Sequence, residues 1–435
     1  MSILLNPVLL SVILLCVLCL LKLNVLMSLV LSALVGAAAA GIAIPEAMDI
    51  LCDGFGANAG TALAYIFLGT FASAVAATGL ADMMSKKLSQ IIGKNRLLLL
   101  LVLAGVASLS QNLIPVHIAF IPIMIPPLLS LFNALRLDRR AASCSLAFGL
   151  KAPYIAIPFG FGAIFMGIIA DNMTANGMQV SIPDVASVNW ILALAMFAGL
   201  LIAALLTYRK PRSYQVREVD TSLTQAAGDT ITRAHIVTII AVISVVVVQV
   251  ISESLALSAL CGVLVMMLGG AIRYHHVNKH FAHGIRLMGM IAMIMLVAGG
   301  YAEVMKATGA VDALVEAAVV VMGGSKWIAA IVITLIGLMV TMGIGSSFST
   351  VPVLAVLYVP LCSRLGFSVP ATILLMSAAA ALGDAGSPAS DTTLGPTSGL
   401  NADGQHDHIF DTCVPTFLHF NIPLMLASIV VSQFI

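Results

Sequence analysis

Charge is what this sequence has least of. Asp, Glu, Lys and Arg make up 9% of its 435 residues, against about one quarter in a soluble globular chain. That shortage excludes a soluble enzyme, a nucleic-acid binder and a disordered scaffold. Paired cysteines are missing too. Cys16, Cys19, Cys52, Cys144, Cys261, Cys362 and Cys413 are scattered, mostly inside apolar runs. The one close pair, Cys16/Cys19, is embedded in Leu and Val, so neither a disulfide framework nor a zinc site is expected. The first apolar run lacks the basic flank and cleavage-like segment of a signal peptide and is read as a retained span. No cofactor motif is present, and no His-Glu-x-x-His or Gly-x-Ser-Gly suggests an embedded protease.

What is there is apolar sequence. Hydrophobic residues reach 60% and the mean hydropathy is +1.10, the composition of an all-α polytopic membrane protein in a lipid bilayer. Runs long enough for a hydrocarbon core of roughly 30 Å fall near 3–21, 24–44, 61–80, 188–208, 235–251, 255–272, 287–302 and 413–435. Between the second and third, Pro45 to Gly60 with Glu46, Asp49 and Asp53 reads as a lateral external helix or loop.

Four regions are not simple spans. Leu97 to Leu109 and Val116 to Phe132 are short apolar arms around Ser110-Gln-Asn-Leu-Ile-Pro115, a re-entrant hairpin over 97–132. A second hairpin, 326–362, folds around Gly343-Ile-Gly-Ser-Ser-Phe-Ser-Thr-Val-Pro352. Each is followed by a span broken in its middle: 143–170 around Lys151-Ala-Pro-Tyr-Ile-Ala-Ile-Pro158, and 371–398 around Gly383-Asp-Ala-Gly-Ser-Pro-Ala-Ser-Asp391. Non-helical backbone at membrane depth is tolerated only where protein, ions or water satisfy it. Hairpin then broken span occurs twice, an internal repeat echoed by Pro115 with Pro352, Pro122 with Pro360 and Pro158 with Pro388. The expected organisation is a first half over 1–208, a polar linker over 209–234 and a second half over 235–435.

Threading the spans puts five crossings between the hairpins, so the second enters from the opposite side and the repeats are inverted. Sixteen of the twenty Lys and Arg then fall on one side, with Lys306, Lys326 and Arg364 on the other and Lys151 inside a break. The basic side is the cytoplasm, which makes the linker cytoplasmic, both termini external and the location the inner membrane. One loop departs from the rule: Leu400 to Thr412 falls on the cytoplasmic side with acids and histidines but no Lys or Arg.

Inverted repeats with discontinuous helices are the recurring architecture of secondary transporters, where half-helix ends and freed carbonyls hold ion and substrate near the midplane. A monovalent cation needs several oxygens and a compensating charge, by analogy with hard divalent ions. The second half offers them: Ser346, Ser347, Ser349 and Thr350 at the tip, Asp384, Ser387, Asp391 and Thr392 in the break. A Na+ ion is expected at Ser347, Thr350, Asp384 and Asp391, as the coupling ion. The first half carries Lys151 and no carboxylate in its break, flanked by Tyr154, with Ser110, Gln111, Asn112 and His117 at or beside its tip. These six are the candidate substrate contacts, Lys151 meeting a carboxylate or standing in for a second cation. The histidines at 275, 276, 280 and 283 read as a solvated basic loop, and His406-Asp-His408 supplies too few ligands for a closed metal site.

The segment Gly383 to His408, together with Gly345-Ser-Ser-Phe-Ser-Thr-Val-Pro352, resembles the NhaC-type Na+/H+ antiporter family, in particular its branch labelled amino-acid or histidine permeases. The resemblance implies a scaffold plus a moving transport domain, a homodimer, and cation binding on the Ser346 to Thr350 tip and the Asp384 to Thr393 break. The expected function is therefore ion-coupled uptake of a small amino acid such as histidine by alternating access, with Na+/H+ exchange as the alternative. Leu382-Gly-Asp384 is also similar to the Gly-Asp of intramembrane aspartyl proteases, but the partner Tyr-Asp is absent.

Overall fold

The computed structural model describes the chain apart from residues 1–5, 81–82, 84–94, 113–120, 160, 216–230, 253, 311–324 and 345–346, and apart from the side chains at 57, 110–112, 123, 287, 343–344, 348–349, 352–353 and 356–357. The described residues are helical, with no strand among them. The first half runs α1 (Pro7–Leu20), α2 (Val25–Ala39), α3 (Ile44–Asp53), α4 (Ala59–Ala77), α5 (Arg96–Asn112), α6 (Ile121–Ala134), α7 (Arg139–Ala156), α8 (Phe161–Ala175) and α9 (Ile182–Thr207). The second runs α10 (Arg233–Ser252), α11 (Leu255–Leu268), α12 (Val277–Ala307), α13 (Lys326–Ile344), α14 (Ser347–Arg364), α15 (Val369–Ala381), α16 (Asp391–Leu400) and α17 (His408–Val431). Five of these helices are long and apolar enough to cross a membrane, or six if α7 and α8, bent by 47° at their junction, count as one span. The lateral segment after α2 is helical, as α3.

Local chemistry sets the boundaries. Asn6 and Asn24 accept the first free N–H groups of α1 and α2, Asp138 caps α7, Ser368 caps α15 and Ser390 caps α16. The boundaries also recur at a fixed spacing. Caps Asn24 and Ser254, and Asp138 and Ser368, are each 230 residues apart, as are the helix starts Arg96 and Lys326, and Phe161 and Asp391. Helices α4 and α12 both end in Ala-Thr-Gly, at Ala77 and Ala307, and both glycines, Gly79 (φ 71°) and Gly309 (φ 59°), take the left-handed conformation that stops a helix. This spacing pairs Pro158 with Pro388 but Pro122 with Pro352. The position of a proline relative to a tip is thus a poorer guide to register than caps and helix ends.

Small residues let equivalent helices approach closely. A Cβ added at Gly69 of α4 would lie 2.6 Å from the Gly284 carbonyl of α12, and one at Gly54 would lie 2.7 Å from Gly300 Cα. On α4 itself residue 69 meets 284 while Ser73 lies 3.0 Å from His280, so the two helices run antiparallel. Two further helix pairs pack through a Gly–Ala contact: Gly149 of α7 on Ala107 of α5, and Gly337 of α13 on Ala379 of α15.

Charged loops gather at one end. Arg139 is fully buried, bonds both Asp403 oxygens at 2.6 Å and the Leu400 carbonyl at 2.9 Å, and stacks on Tyr214. Arg212 bonds Asp411 at 2.7 Å, and Gln215 and Gln405 exchange hydrogen bonds at 2.8 Å. The loop 400–412, anomalous by its own charge, thus takes its cations from 139 and 212. At the opposite end Asn6 donates to the Ala310 carbonyl (2.7 Å) and Ser368 to that of Ile435 (2.7 Å), so both described chain ends lie away from the linker.

Candidate functional site

The α7–α8 and α15–α16 breaks face each other, and side chains of one meet the backbone of the other. Lys151, fully buried on α7, donates to the Ala381 carbonyl at the end of α15. One turn on, the Tyr154 hydroxyl donates to Asp384 Oδ2 and lies 3.0 Å from Ser347 Oγ. Ser347, in the first turn of α14, donates to the same carboxylate oxygen. Lys151 and Ala381 are 230 residues apart, and so are Tyr154 and Asp384. Residues at corresponding positions of the two halves therefore touch each other.

The backbone freed by the breaks is satisfied by the span that follows each one. Asn189 of α9 donates to the Ile155 carbonyl at 2.9 Å, and Asn421 of α17 donates to that of Ala385, again 230 positions on, at 2.6 Å. Thr416 accepts from the Gly386 N–H (3.1 Å), and Thr393 donates to the carbonyls of Ser387 and Ser390 (2.5 and 2.9 Å). Buried peptide groups at membrane depth require such partners.

Of the residues expected from sequence, Lys151, Tyr154, Ser347 and Asp384 form one cluster. Thr350 is buried one turn further along α14, and Ser387 and Thr392 are buried in or beside the second break. Asp391 is held apart from Asp384: its Oδ1 accepts from Tyr65 of α4 at 2.8 Å. Lys151 spends its hydrogen bond on a carbonyl, with the Asp384 carboxylate close enough to attract its charge. His117 and Ser346, and the side chains of Ser110, Gln111, Asn112 and Ser349, lie outside the described residues. Tyr65, Asn189, Thr416 and Asn421 are site residues that sequence reasoning misses; the first two stand in apolar helices, and Thr416 and Asn421 lie on either side of His419 in a span with π-helical turns. No group of three His, Cys, Asp or Glu fit to hold a metal occurs among the described residues.

The comparison that decides identity covers both breaks. The family described as the Na+/H+ antiporter family matches residues 145–429, and a second Na+-H+ antiporter family description matches residues 6–92. The chain belongs to the Na+/H+ antiporter family. Relatives of this antiporter-family chain include "Putative amino acid transporter YuiF" of Bacillus subtilis, 43% identical over 88% of this chain and 90% of that one. An uncharacterized membrane protein of Vibrio parahaemolyticus is 45% identical over 89% and 90%. Among solved structures, the Alcanivorax borkumensis YdaH transporter is similar with a TM-score of 0.43 and 12% identity, covering 88% of this chain and 86% of its own. The family and its relatives identify a multi-pass membrane transporter and not an enzyme.

Proposed function

We propose that this chain is a Na+-coupled transporter whose cargo is a small amino acid, worked by two inverted repeats of the inner membrane. The observation that carries the reading is the Tyr154–Asp384–Ser347 cluster: a buried carboxylate held by two hydroxyls beside the Lys151 ammonium. An intramembrane carboxylate is costly and marks an ion or substrate pathway. Asp384, Ser347 and Thr350 are the proposed sodium ligands, with Asp391, Ser387 and Thr392 flanking. Lys151, one turn before the Tyr154 that bonds Asp384 and spending its hydrogen bond on a carbonyl, is the group that meets a cargo carboxylate when the breaks part.

The repeat reading is supported by the constant 230-residue spacing, by antiparallel α4 and α12, and by reciprocal contacts. Gly54 meets Gly300, and their counterparts 230 positions away, Gly284 and Thr70, also meet. Reciprocity of that kind is the mark of a two-fold relation, and between antiparallel spans the axis lies in the membrane plane. The halves are 1–208 and 235–435, joined by the cytoplasmic linker 209–234, and a homodimer is the proposed assembly. Na+/H+ exchange is the second reading, favoured by the family match.

Sodium at about a hundred times its Kd stabilises a folded protein by about 2.7 kcal/mol. A rise in the melting temperature of detergent-purified protein with NaCl but not choline chloride is expected, and Asp384→Asn and Ser347→Ala abolish it. A wild type indifferent to sodium contradicts the site.

A further inference from the structure

Behind the second break runs a chain of hydrogen bonds that the sodium site does not use. His408, at the start of α17, meets the Pro388 carbonyl through Nε2 (2.9 Å) and Thr397 Oγ1 through Nδ1 (2.8 Å). The Thr397 hydroxyl reaches both the Thr393 carbonyl (2.9 Å) and Thr412 Oγ1 (3.0 Å), serving the chain when its proton turns to Thr412, and Thr412 Oγ1 lies 2.7 Å from His406 Nε2. His406 is buried in the loop that Arg139 and Arg212 hold, and its Nδ1 has no hydrogen-bond partner among the described residues. The chain thus joins the break to the end of the molecule where the linker begins, with an imidazole at each end and two hydroxyls between.

We infer that His408, Thr397, Thr412 and His406 form a proton relay between the second break and the cytoplasmic loop, an inference that rests on the ion-coupled reading above. The proton count closes. With Thr397 donating to Thr412, Thr412 donates to His406 Nε2, and His408 donates from Nδ1 to Thr397 and from Nε2 to the Pro388 carbonyl. His408 in that arrangement is an imidazolium. Moving each proton one bond along transfers Nδ1–H to Thr397, the Thr397 proton to Thr412 and the Thr412 proton to His406 Nε2. His408 is left neutral and still bonded to Pro388, and His406 carries the charge and sheds its Nδ1 proton. No bond between heavy atoms changes.

The surroundings suit transit, not storage. His406 is faced by Asp411, Arg139, Arg212 and His408, and its backbone N–H bonds Asn401 (3.0 Å); His408 is faced by Asp407 and by Cys413 Sγ at 3.6 Å. Burial, opposed by Asp411 and reinforced by Arg139, pushes His406 down to about 3, so it is neutral at rest and holds a proton only in passage.

The test separates proton movement from sodium binding. In proteoliposomes with an internal pH dye, an imposed Na+ gradient and the amino-acid panel supplied as cargo, Thr412→Val, which cuts the chain while leaving both imidazoles, is expected to slow proton flux at least about tenfold, as is His406→Gln. The sodium-induced rise in melting temperature of both variants should match wild type, which also shows that they fold, and Thr412→Ser should restore the flux. Wild-type flux in Thr412→Val overturns the relay. So does a wild type that binds sodium yet moves no protons, which leaves the sodium reading standing. Slowed flux in Thr412→Val beside a wild type without a sodium shift supports the relay and overturns the sodium site instead.

Discussion

Arg139 counts in the sequence as one more loop cation, yet its guanidinium is fully buried, grips both oxygens of Asp403 and spans from the first half to the second. Burial raises the cost of ionising Asp403, but the bond and charge of Arg139 outweigh it and hold the carboxyl below its ordinary range. Removing one partner of a buried pair strands the other, so Arg139→Ala is expected to cost about 3–5 kcal/mol, read as a lower unfolding midpoint in detergent, whereas Arg139→Met with Asp403→Leu costs much less. Nearby, the low value of His406 fixes a sign. Because its folded pKa, about 3, lies below the unfolded value of about 6.5, the unfolded chain takes up the proton first. Its stability contribution is complete above about pH 6.5 and drains as pH falls toward 3, by about 1.4 kcal/mol per unit. The slope of stability between pH 6.5 and 5 should be shallower in His406→Gln than in wild type; equal slopes contradict the assignment. Such residues show where sequence reading stops. Asp384 and Lys151 are legible because a charge inside an apolar run is costly and needs a reason. Tyr65 and Asn189 sit in apolar spans and Asn421 in a π-helical turn, and the carbonyl or carboxylate each one serves lies on another element.

At the scale of elements, the two breaks are legible because Gly and Pro interrupt apolar runs at corresponding places; α15 ends at Ala381, just before the second interruption, whereas α7 stays helical through Pro153 to Ala156, so the first break opens later than the sequence suggests. Register is less so. Prolines suggest pairings by their distance from a tip, whereas caps and the Ala-Thr-Gly helix ends carry the constant 230-residue spacing. Helix α12 reaches from Val277 to Ala307, well beyond the apolar run 287–302, because its first turns are polar yet still pack: Gly284 lies against α4, and His280 Nδ1 is 3.0 Å from Ser73 Oγ. The Gly–Ala contacts make the spacing testable. A methyl at Gly337 would lie 2.3 Å from the Ala379 Cβ, so Gly337→Ala is expected to destabilise by about 1–3 kcal/mol. In the first half the glycine stands on the other partner, so Gly337→Ala with Ala379→Gly copies that arrangement and should recover most of the loss. A double variant no better than the single contradicts the correspondence.

The whole molecule gathers its linker-side charges at one end and both described chain ends at the other. With Cys52 replaced, since it is exposed, a cysteine at Gln179 should react with an impermeant thiol reagent added to intact cells and one at Lys210 should not; the reverse pattern contradicts the orientation. The central claim, that a sodium-holding carboxylate at the meeting point of two breaks drives an organic cargo, is tested most directly in proteoliposomes. A labelled amino-acid panel is offered under an imposed Na+ gradient, beside a dye measurement of proton efflux, for wild type, Lys151→Ala and Asp384→Asn. The account predicts Na+-dependent uptake of at least one amino acid, lost in both variants. Wild type that exchanges Na+ for protons with no amino acid present, and a Lys151→Ala variant that still does so, would contradict it and establish the antiporter reading in its place.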